Sequence, residues 1–387
     1  MKMIKYPIVF FTLVLFCSCD QNAKNIASDY PSVFSPTGTY TELKLDSLTG
    51  FWHLSFRIDS YTSSQNCISF INTQTNSLYI YSASSGDLIT VKKLSIEGPN
   101  GVGNLSVAAH LVHSLDSIYV YNPNQGNLYL VDSESRVVNR YQIMKYDDNV
   151  PIMPEPRSLS RIVKIRDELY FPSIFKRRLN EYDIPSVVVF NLSTGAVKTK
   201  FPYPEKYSEA HWGSTFKYQP SITHKEGTEE VLVSYPIMHD IISYDISTGR
   251  MKKNPMSSDL IDDFRPYSDD LADAFNNTNE YFDRLSIYSF SNSDYTGLLY
   301  DKYRNLVYRI SYIRPDETTV RKGDMGAKFI SIAAFNESYE KVAEQKFDTD
   351  KYNASMIVVT KDGLLMPRID LYDKNEDVLQ LERILVK

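Results

Sequence analysis

The polar side chains best suited to chemistry are scattered along this chain rather than gathered in one motif. His211 and Trp212 form the most distinctive pair, because the chain has only two tryptophans and six histidines. An indole ring can stack on a sugar or a peptide, although packing in a core is its commoner role. Guanidinium groups are frequent partners of carboxylates and phosphates. The further candidates outside the predicted strands are therefore Arg157, Arg321 and Arg368.

No sequence motif fixes a reaction. The chain contains no G-x-S-x-G elbow, no H-E-x-x-H pair and no Walker loop. Catalytic groups can also converge from distant parts of a chain, which spacing in the sequence does not reveal. A hydrolase or lyase acting on glycans or peptides therefore stays open as the alternative to a non-catalytic binding protein.

A glycine-rich stretch at residues 98–103 has the composition of a phosphate-binding loop. Such loops donate backbone N–H groups at the start of a helix, but Pro99 has no N–H and a strand is predicted to follow. We therefore interpret the stretch as a tight turn between repeats. Turns of this kind are expected near the axis of a repeat protein, so Glu97 and Asn100 are candidates to line a binding face.

Two patterns resemble metal sites, but neither has the required geometry. His110 and His113 are three residues apart, a spacing that suits a helix. Residues 106–112 are instead predicted to form a strand, in which such positions face opposite sides. The acidic run at 373–377 lacks the glycine that a calcium loop needs for its sharp turn. We predict no metal site and no cofactor.

The composition favours a β-rich protein that does not bind nucleic acid. The net charge of −6 is spread along the chain, whereas nucleic-acid binding usually needs a basic patch. Only three cysteines occur, at positions 17, 19 and 67, so no internal disulfide framework is possible. The 29 tyrosines and 19 phenylalanines favour strands, because aromatic residues fit a pleated, half-buried surface.

Five copies of a strand–turn–strand pattern recur along the chain. Residues 241–251, for example, read Ile-Ile-Ser-Tyr-Asp-Ile-Ser-Thr-Gly-Arg-Met. Successive turns are roughly fifty to sixty residues apart, with a longer gap before the last, which is the size of a four-stranded propeller blade. The five turns lie at Gly86, Ser135, Gly195, Gly249 and Tyr339.

A sixth unit, at residues 356–386, has three predicted strands and lacks its outer one. Residues 40–45 can supply that strand and close the ring, which removes exposed sheet edges. We therefore predict an all-β fold, a six-bladed β-propeller over residues 40–387. Seven blades or a pair of β-sandwiches are the alternatives. An acidic insertion at 252–284 has apolar residues at near-helical spacing, which predicts a short helix.

The N-terminus has the build of a signal peptide over residues 1–18. Lys2 and Lys5 precede an apolar run at 8–16 that is too short to span a bilayer. The stretch Phe16-Cys17-Ser18-Cys19 resembles the lipobox of bacterial lipoproteins, in which a small residue precedes the lipidated cysteine. This resemblance implies lipidation of Cys19.

Two further expectations concern this end of the chain. Residues 19–39 are polar and contain two prolines, which indicates a flexible tether. An ordinary secretory peptide cut near Ala27 is the alternative to lipidation.

The chain as a whole resembles a family of Bacteroidota propeller lipoproteins known only as a domain of unknown function. The resemblance rests on the lipobox, on the repeats, and on the loop Ile96-Glu97-Gly98-Pro99-Asn100-Gly101-Val102-Gly103 followed by Leu115-Asp116-Ser117-Ile118-Tyr119-Val120. It covers most of the mature chain. It implies the propeller fold and an envelope location, and it implies no known activity.

These observations predict a membrane-anchored envelope lipoprotein whose propeller binds a protein or a glycan across its loop-rich face. The lipid on Cys19 would attach it to the inner or the outer membrane, on the periplasmic side or at the cell surface. A purely structural subunit of an envelope complex is a third possibility, beside the binding protein and the enzyme.

Overall fold

A computed structural model of the chain describes residues 30–144, 152–175, 184–268 and 277–387. The predicted signal peptide and Cys19 lie outside these ranges. Antiparallel strands dominate them and form six sheets, which are the six blades of the predicted propeller. Neighbouring blades meet through their innermost strands around a central axis.

Each blade is a meander that runs outward from the axis. Blade one contains β2 (Phe56–Ser60), β3 (Asn66–Asn72), β4 (Ser77–Ser82) and β5 (Leu88–Lys93); blade two contains β6 (Ala109–Ser114), β7 (Ser117–Asn122), β8 (Asn127–Val131) and β9 (Val137–Gln142); blade three contains β10 (Ile152–Pro154), β11 (Val163–Ile165), β12 (Glu168–Phe175), β13 (Pro185–Asn191) and β14 (Val197–Pro202).

The second half of the chain repeats this plan. Blade four contains β15 (Ser221–His224), β16 (Glu230–Ser234), β17 (Asp240–Asp245) and β18 (Met251–Pro255); blade five contains β19 (Asp294–Asp301), β20 (Leu306–Ile313), β21 (Phe329–Phe335) and β22 (Lys341–Asp348); blade six contains β23 (Val358–Thr360), β24 (Gly363–Pro367), β25 (Val378–Val386) and, from the N-terminus, β1 (Phe34–Lys44).

Pairing of the two chain ends closes the ring, as predicted. Strand β1 lies antiparallel to β25, in a register that runs from Phe34 opposite Val386 to Lys44 opposite Val378. The strand begins six residues earlier than expected, so residues 34–39 belong to the propeller and not to the tether. The N-terminal strand therefore occupies the outer edge of blade six.

The five repeat turns share one backbone conformation. Each places a residue in the left-handed region: φ is 79° at Gly86, 64° at Ser135, 70° at Gly195, 71° at Gly249 and 64° at Tyr339. Hairpin loops that combine a type I turn with a bulge require this conformation, which glycine adopts at the least cost. The sequence repeat is thus a repeat of turn geometry.

Side-chain acceptors help to form these turns. In the fourth copy the Asp245 carboxylate accepts the backbone N–H groups of Ser247 at 2.9 Å and of Thr248 at 3.0 Å. In the third copy Asn191 does the same for Ser193 and Thr194. Aspartate and asparagine favour turns for this reason.

The insertion differs from its prediction at both ends. Residues 252–255 belong to β18, and the segment up to 268 has no helix although Ile261 and Phe264 are buried. Residues 269–276, which include Leu271 and Phe275, lie outside the described residues. The helix spans Thr278–Ser291, and its N-terminus is capped by the Asn277 side chain, which accepts the N–H of Glu280. Pro255 and Pro266 lack the N–H that a helix would need before that point.

Helices are short in the part of the chain that the structure describes. They are α1 (Lys206–Glu209), α2 (Thr278–Ser291), α3 (Glu317–Arg321) and α4 (Ile369–Tyr372), with 3₁₀ turns at Thr215–Tyr218 and Ala354–Met356. Among the described residues, no helix has the length and apolar character needed to cross a membrane.

Buried tyrosines explain the unusual composition. Tyr203, Tyr207 and Tyr235 pack against one another between blades three and four, and burial raises the pKa of each phenol. Their hydroxyls reach polar partners at the edge of the layer: Tyr203 donates to the carbonyl of Ser173 at 2.8 Å and Tyr207 to that of Lys217 at 2.9 Å. Tyrosine thus fills the core and satisfies a backbone carbonyl with one side chain.

Candidate functional site

The innermost strands of all six blades surround one cavity of about 340 Å³ on the axis. An innermost strand pairs on one side only, so its other edge presents backbone N–H and C=O groups to the channel. The wall is therefore polar. Each blade contributes at least one residue, and representatives in blade order are Asp59, His113, Lys164, Thr223, Leu299 and Val359.

Residues 157–161, which lead into β11 of blade three, cross the axis at the end where the innermost strands begin. The Ser158 N–H donates to the carbonyl of Leu54 in front of blade one at 2.7 Å. The Ser160 hydroxyl donates to the carbonyl of Pro220 in front of blade four. Small side chains with hydroxyl donors allow this close crossing. We call residues 157–161 the axial segment.

Arg161 completes the crossing. Its Nη2 donates to the carbonyl of Ile357, in front of blade six, at 2.6 Å, and its Nε donates to the carbonyl of Ser158 at 2.5 Å. Blade six lies opposite blade three in the ring, so the guanidinium spans the axis. The cavity is consequently closed at this end and open at the end where the innermost strands finish.

A buried ion pair holds the first three blades together at the cavity wall. Arg57 and Asp59 are two apart on β2, so both side chains point to the same side of the strand, and they form two parallel bonds of 2.7 and 2.6 Å. Arg57 also donates to the carbonyls of His110 at 2.6 Å and Ile162 at 3.2 Å. The Asp59 carboxylate accepts the Val112 N–H at 3.0 Å. This pair is satisfied within the fold.

Arg161 is charged, deeply placed and without a counter-ion. No carboxylate of the described residues lies within 4.0 Å of its guanidinium. The Nη1 of Arg161 donates no hydrogen bond to any described residue. Burial, followed by the nearby charge of Arg57, lowers the pKa of Arg161 to about 9, so the group remains protonated at neutral pH. Its side chain is partly accessible because it lines the cavity.

Toward the open end, further cations line the wall. Lys164 lies in β11 and has no ion-pair partner in the described ranges. His113 lies beside it on β6, and burial together with the charge of Lys164 lowers the pKa of His113. Lys302 pairs with Glu226 at 2.8 Å, where both side chains are largely exposed at the mouth.

The cavity is electropositive although the chain is acidic. Its lining holds four Lys and Arg residues and two carboxylates, Asp59 and Glu226. Both carboxylates are paired, with Arg57 and Lys302 respectively. The uncompensated charges are therefore Arg161 and Lys164. The geometry can bind a polar group, and its field favours a negative one.

Two serine hydroxyls lie within hydrogen-bond distance of a histidine, as in a nucleophile and base pair, but all three side chains are buried in the packing between blades. His110 lies between the hydroxyls of Ser55, at 2.7 Å from Nδ1, and Ser69, at 2.8 Å from Nε2. All access is closed, because His110 and Ser69 are 0% exposed and Ser55 is buried, and burial lowers the pKa of the imidazole. Nor do the described residues contain a group of three or more His, Cys, Asp or Glu that could hold a metal ion.

The two loop candidates lie away from the axis. The Asn100 side chain accepts the N–H of Val137, which begins the outermost strand of blade two, at 3.2 Å. Glu97 is exposed on the same loop. The expected position near the axis is wrong, because the loop leaves the outer strand of blade one and only later reaches the innermost strand of blade two.

His211 and Trp212 belong to the packed core beside blade four. Trp212 is 3% exposed, and its indole N–H donates to the carbonyl of Lys206 at 3.0 Å. The His211 ring packs edge-on to Tyr267, with ring centroids 5.5 Å apart. The indole therefore has no free face for stacking on a sugar, and packing is its observed role.

The three arginine candidates occupy three separate places. Arg157 pairs with Glu155 on the outer side of the axial segment. Arg321 pairs with Glu317 one turn earlier in α3, on the surface. Arg368 forms bonds of 2.7 Å with Asp370 and Glu382 in blade six, and these carboxylates raise its pKa. The structure does not bring the seven predicted binding residues together.

The cavity residues Arg57, Asp59, Arg161 and Lys164 were missed as candidates, and His113 was considered only as a metal ligand and set aside. Each lies in or just before a short innermost strand, which carries too few residues for a periodic pattern. A positional signal does exist: His113 and Lys164 lie four residues before the clear second strands β7 and β12. A short strand joined to each second strand by a tight turn could therefore have been used to predict which residues face the axis.

Comparisons with known proteins agree with this architecture. A crystal structure of a DUF4221 family member from Bacteroides vulgatus superposes with a TM-score of 0.75 at 18% identity, over 92% of this chain and 99% of that chain. A Bacteroides fragilis protein described as exported superposes with a TM-score of 0.54 at 12% identity, over 94% of this chain and 97% of that one. A comparison with curated proteins found no match.

The family assignment rests on the sequence profile of a domain of unknown function, DUF4221, which matches residues 38–346. The matched range begins in β1 and ends in β22, so it includes the closing strand and the first five blades. The resemblance found in the sequence is thereby confirmed, and the chain belongs to the DUF4221 family.

Proposed function

We propose that this protein is an exported, lipid-anchored envelope protein that binds a glycan or a protein through its central cavity, without catalysing a reaction. One observation carries the proposal: six blades converge on a cavity that is closed at one end, and two cations in its lining have no ion-pair partner in the described part of the chain. A volume of about 340 Å³ lies in the range of small-molecule sites and suits one sugar unit or one side chain of a larger ligand.

The chemistry of the wall favours binding over catalysis. A nucleophile needs a base within hydrogen-bond reach, and the Ser and His groups that meet this condition, Ser55, Ser69 and His110, are sealed in the packing between blades. The cavity lining holds cations, hydroxyls, the imidazoles of His113 and His224, two paired carboxylates and apolar side chains. Within the described residues, no serine or threonine hydroxyl of this lining is hydrogen-bonded to either imidazole, so we assign these groups to orienting a ligand.

A matched pair of substitutions tests the site. Thr223→Trp places an indole in the cavity wall, and Thr199→Trp makes the same change on the exposed outer strand β14. The mature wild-type chain and both variants are applied to a glycan array and to envelope extract. We expect Thr223→Trp to weaken any specific binding by at least tenfold, on the order of 1.4 kcal/mol, while Thr199→Trp keeps it.

Equal binding by all three proteins would reject the cavity as the site. Conversion of a bound glycan or peptide by wild type, lost in Thr223→Trp, would instead establish the enzymatic alternative. Both results are read from the same samples by mass spectrometry of the recovered ligand.

The location rests on the N-terminal sequence. Lipidation of Cys19 would leave fifteen residues before β1 begins at Phe34. A chain of that length reaches at most about 50 Å, so the propeller would stay close to its membrane. The Bacteroides fragilis relative described as exported supports secretion.

Replacing the cysteine tests this location. Cys19→Ala is expected to release a folded protein into the soluble fraction, because the lipid would be the only attachment. The matched control, Cys17→Ala, should remain with the membranes. Persistence of Cys19→Ala in the membrane fraction would contradict lipid anchoring.

A further inference from the structure

We propose that the group that enters the central cavity is an anion, a carboxylate, sulfate or phosphate on a small ligand or on one unit of a glycan, bound between Arg161 and Lys164. This inference rests on the proposed function and specifies its ligand class. The site lies on the axis, open toward the end where the innermost strands finish.

The first argument is that Arg161 has a hydrogen-bond donor without a partner in the described residues. A charge removed from bulk water is costly unless it is paired or fully hydrogen-bonded. Two donors of this guanidinium bind carbonyl groups, of Ser158 and Ile357, while Nη1 has no partner among the described residues. The free donor belongs to a side chain that lines the cavity. A ligand oxygen in the cavity would accept the hydrogen bond that Nη1 can donate.

The second argument is that, among the described residues, no carboxylate of the wall forms an ion pair with Arg161, although the charge of Asp59 acts favourably on it. Asp59 is held by two bonds to Arg57, and Glu226 is held by Lys302. Lys164 shares the cavity with Arg161 and has no carboxylate within ion-pair distance in the described residues. The charge of Arg57 acts unfavourably on Arg161, and an anion in the cavity would offset it.

The third argument concerns selectivity. The lining holds four Lys and Arg residues against two carboxylates, and both carboxylates are paired. Burial lowers the pKa of His113, and the charge of Lys164 lowers it further while Asp59 opposes this. A cation would meet repulsion here. An uncharged apolar ligand would leave the edge N–H groups and Arg161 without partners. The volume admits a small acid or one acidic sugar but not a folded partner.

The experiment compares anions with a neutral ligand of similar size. The mature wild-type chain is heated with millimolar glucuronate, glucose 6-phosphate, sulfate or glucose at constant ionic strength, and affinities are then measured by calorimetry. Binding to the native state raises Tm. We expect at least one anion to raise Tm by about 2 °C, and glucose to have no effect. Comparison of glucuronate with glucose 6-phosphate and sulfate distinguishes the anionic groups.

Two variants assign the effect to the site. Arg161→Gln and Lys164→Gln should each weaken binding of the effective anion about tenfold. Lys198→Gln, the same change on the exposed strand β14, should leave it unchanged. The Lys164 side chain makes no hydrogen bond or ion pair in the described residues, so Lys164→Gln is informative even if Arg161→Gln unfolds.

The outcomes separate this inference from the proposed function. An anion effect that is equal in wild type and Lys164→Gln, or no effect of any anion, overturns the anion assignment. If a neutral glycan nevertheless binds and Thr223→Trp abolishes that binding, the cavity remains the binding site with a different ligand class. Both proposals are supported if the anion effect is lost in Thr223→Trp and in Lys164→Gln but is kept in Lys198→Gln.

Discussion

The packed layers between blades and the axial cavity both contain an arginine, but the two guanidinium groups differ in how many hydrogen bonds the fold provides. Arg309, between blades four and five, is 1% exposed and donates to the carbonyls of Met238, His239 and Met256 and to the Ser234 hydroxyl. Arg161 is held by two carbonyls and keeps a free donor beside the cavity. The first arginine is a completed part of the fold, and the second is incomplete without a further partner.

Histidines repeat the contrast on a single strand. His110 and His113 are three apart on β6, so they face opposite sides. His110 is 0% exposed, with a serine hydroxyl at each ring nitrogen. His113 is exposed and lines the cavity. Residue type alone therefore does not identify a binding site. A better indicator is a buried charged group that has hydrogen-bond donors without partners.

The largest expected effect comes from removing the completed arginine. Arg309→Met leaves the carbonyls of Met238 and Met256 without a donor among the described residues, whereas the His239 carbonyl still accepts the Met256 N–H. It also removes the guanidinium that lies 3.3 Å from the centre of the Tyr295 ring. We expect a loss of about 3 to 5 kcal/mol in the free energy of unfolding. Arg161→Met should cost less, about 1 to 2 kcal/mol, because its guanidinium makes two hydrogen bonds where that of Arg309 makes four.

Urea denaturation of wild type and both variants measures this difference. Arg309→Lys serves as the control, since it keeps the charge but cannot reach all four acceptors, and it should fall between wild type and Arg309→Met. Equal losses in Arg309→Met and Arg161→Met would mean that Arg161 is as structural as Arg309, and the contrast would fail.

A second prediction uses pH to separate the two regions. His53 is 6% exposed and stacks on Phe70 with ring centroids 3.9 Å apart. Burial lowers the pKa of His53 to about 4. The unfolded imidazole titrates near its ordinary value of about 6.5. Between these values the unfolded chain binds more protons than the folded one, so stability falls as the pH falls through this window.

The shift corresponds to about 3 kcal/mol, lost between pH 6.5 and 4. His53→Leu should flatten the decline measured by urea denaturation across this range. Some decline should remain, because burial of His110 acts in the same direction. His113→Leu should change the slope much less, since that ring is exposed in the cavity. An unchanged slope in His53→Leu would show that the buried imidazole is not the source.

The sequence predicted the architecture because the outer hairpins of five blades share a turn sequence that is recognisable locally. The Asp245-Ile246-Ser247-Thr248-Gly249 turn carries its own acceptors and its own left-handed residue, so it is recognisable without tertiary context. Ring closure followed from one missing strand. The helix was misplaced, because Ile261 and Phe264 are buried by tertiary contacts and not by helical periodicity.

The site was beyond the reach of the same signals. The cavity depends on residues from six strands that lie far apart in the sequence, and β11 and β23 are three residues long. Whether Arg161 or Arg309 has a free donor depends on which carbonyls the fold brings to it. Arg157, which sequence reasoning did select, lies only four residues from Arg161, but it pairs with Glu155 and is not part of the cavity lining.

The smallest predicted effect concerns the rim turns, which belong to neither region. Ser135 and Gly195 occupy equivalent left-handed positions, at φ 64° and 70°. A Cβ added at Gly195 would meet no heavy atom within 4 Å, so exchanging the two residue types tests the backbone alone. Ser135→Gly should stabilise the fold by about 0.5 to 1 kcal/mol, and Gly195→Ser should destabilise it by a similar amount. Urea denaturation measures both. Neither variant should alter ligand binding, because both turns lie on outer hairpins; a change in affinity would show that the rim contributes to the site.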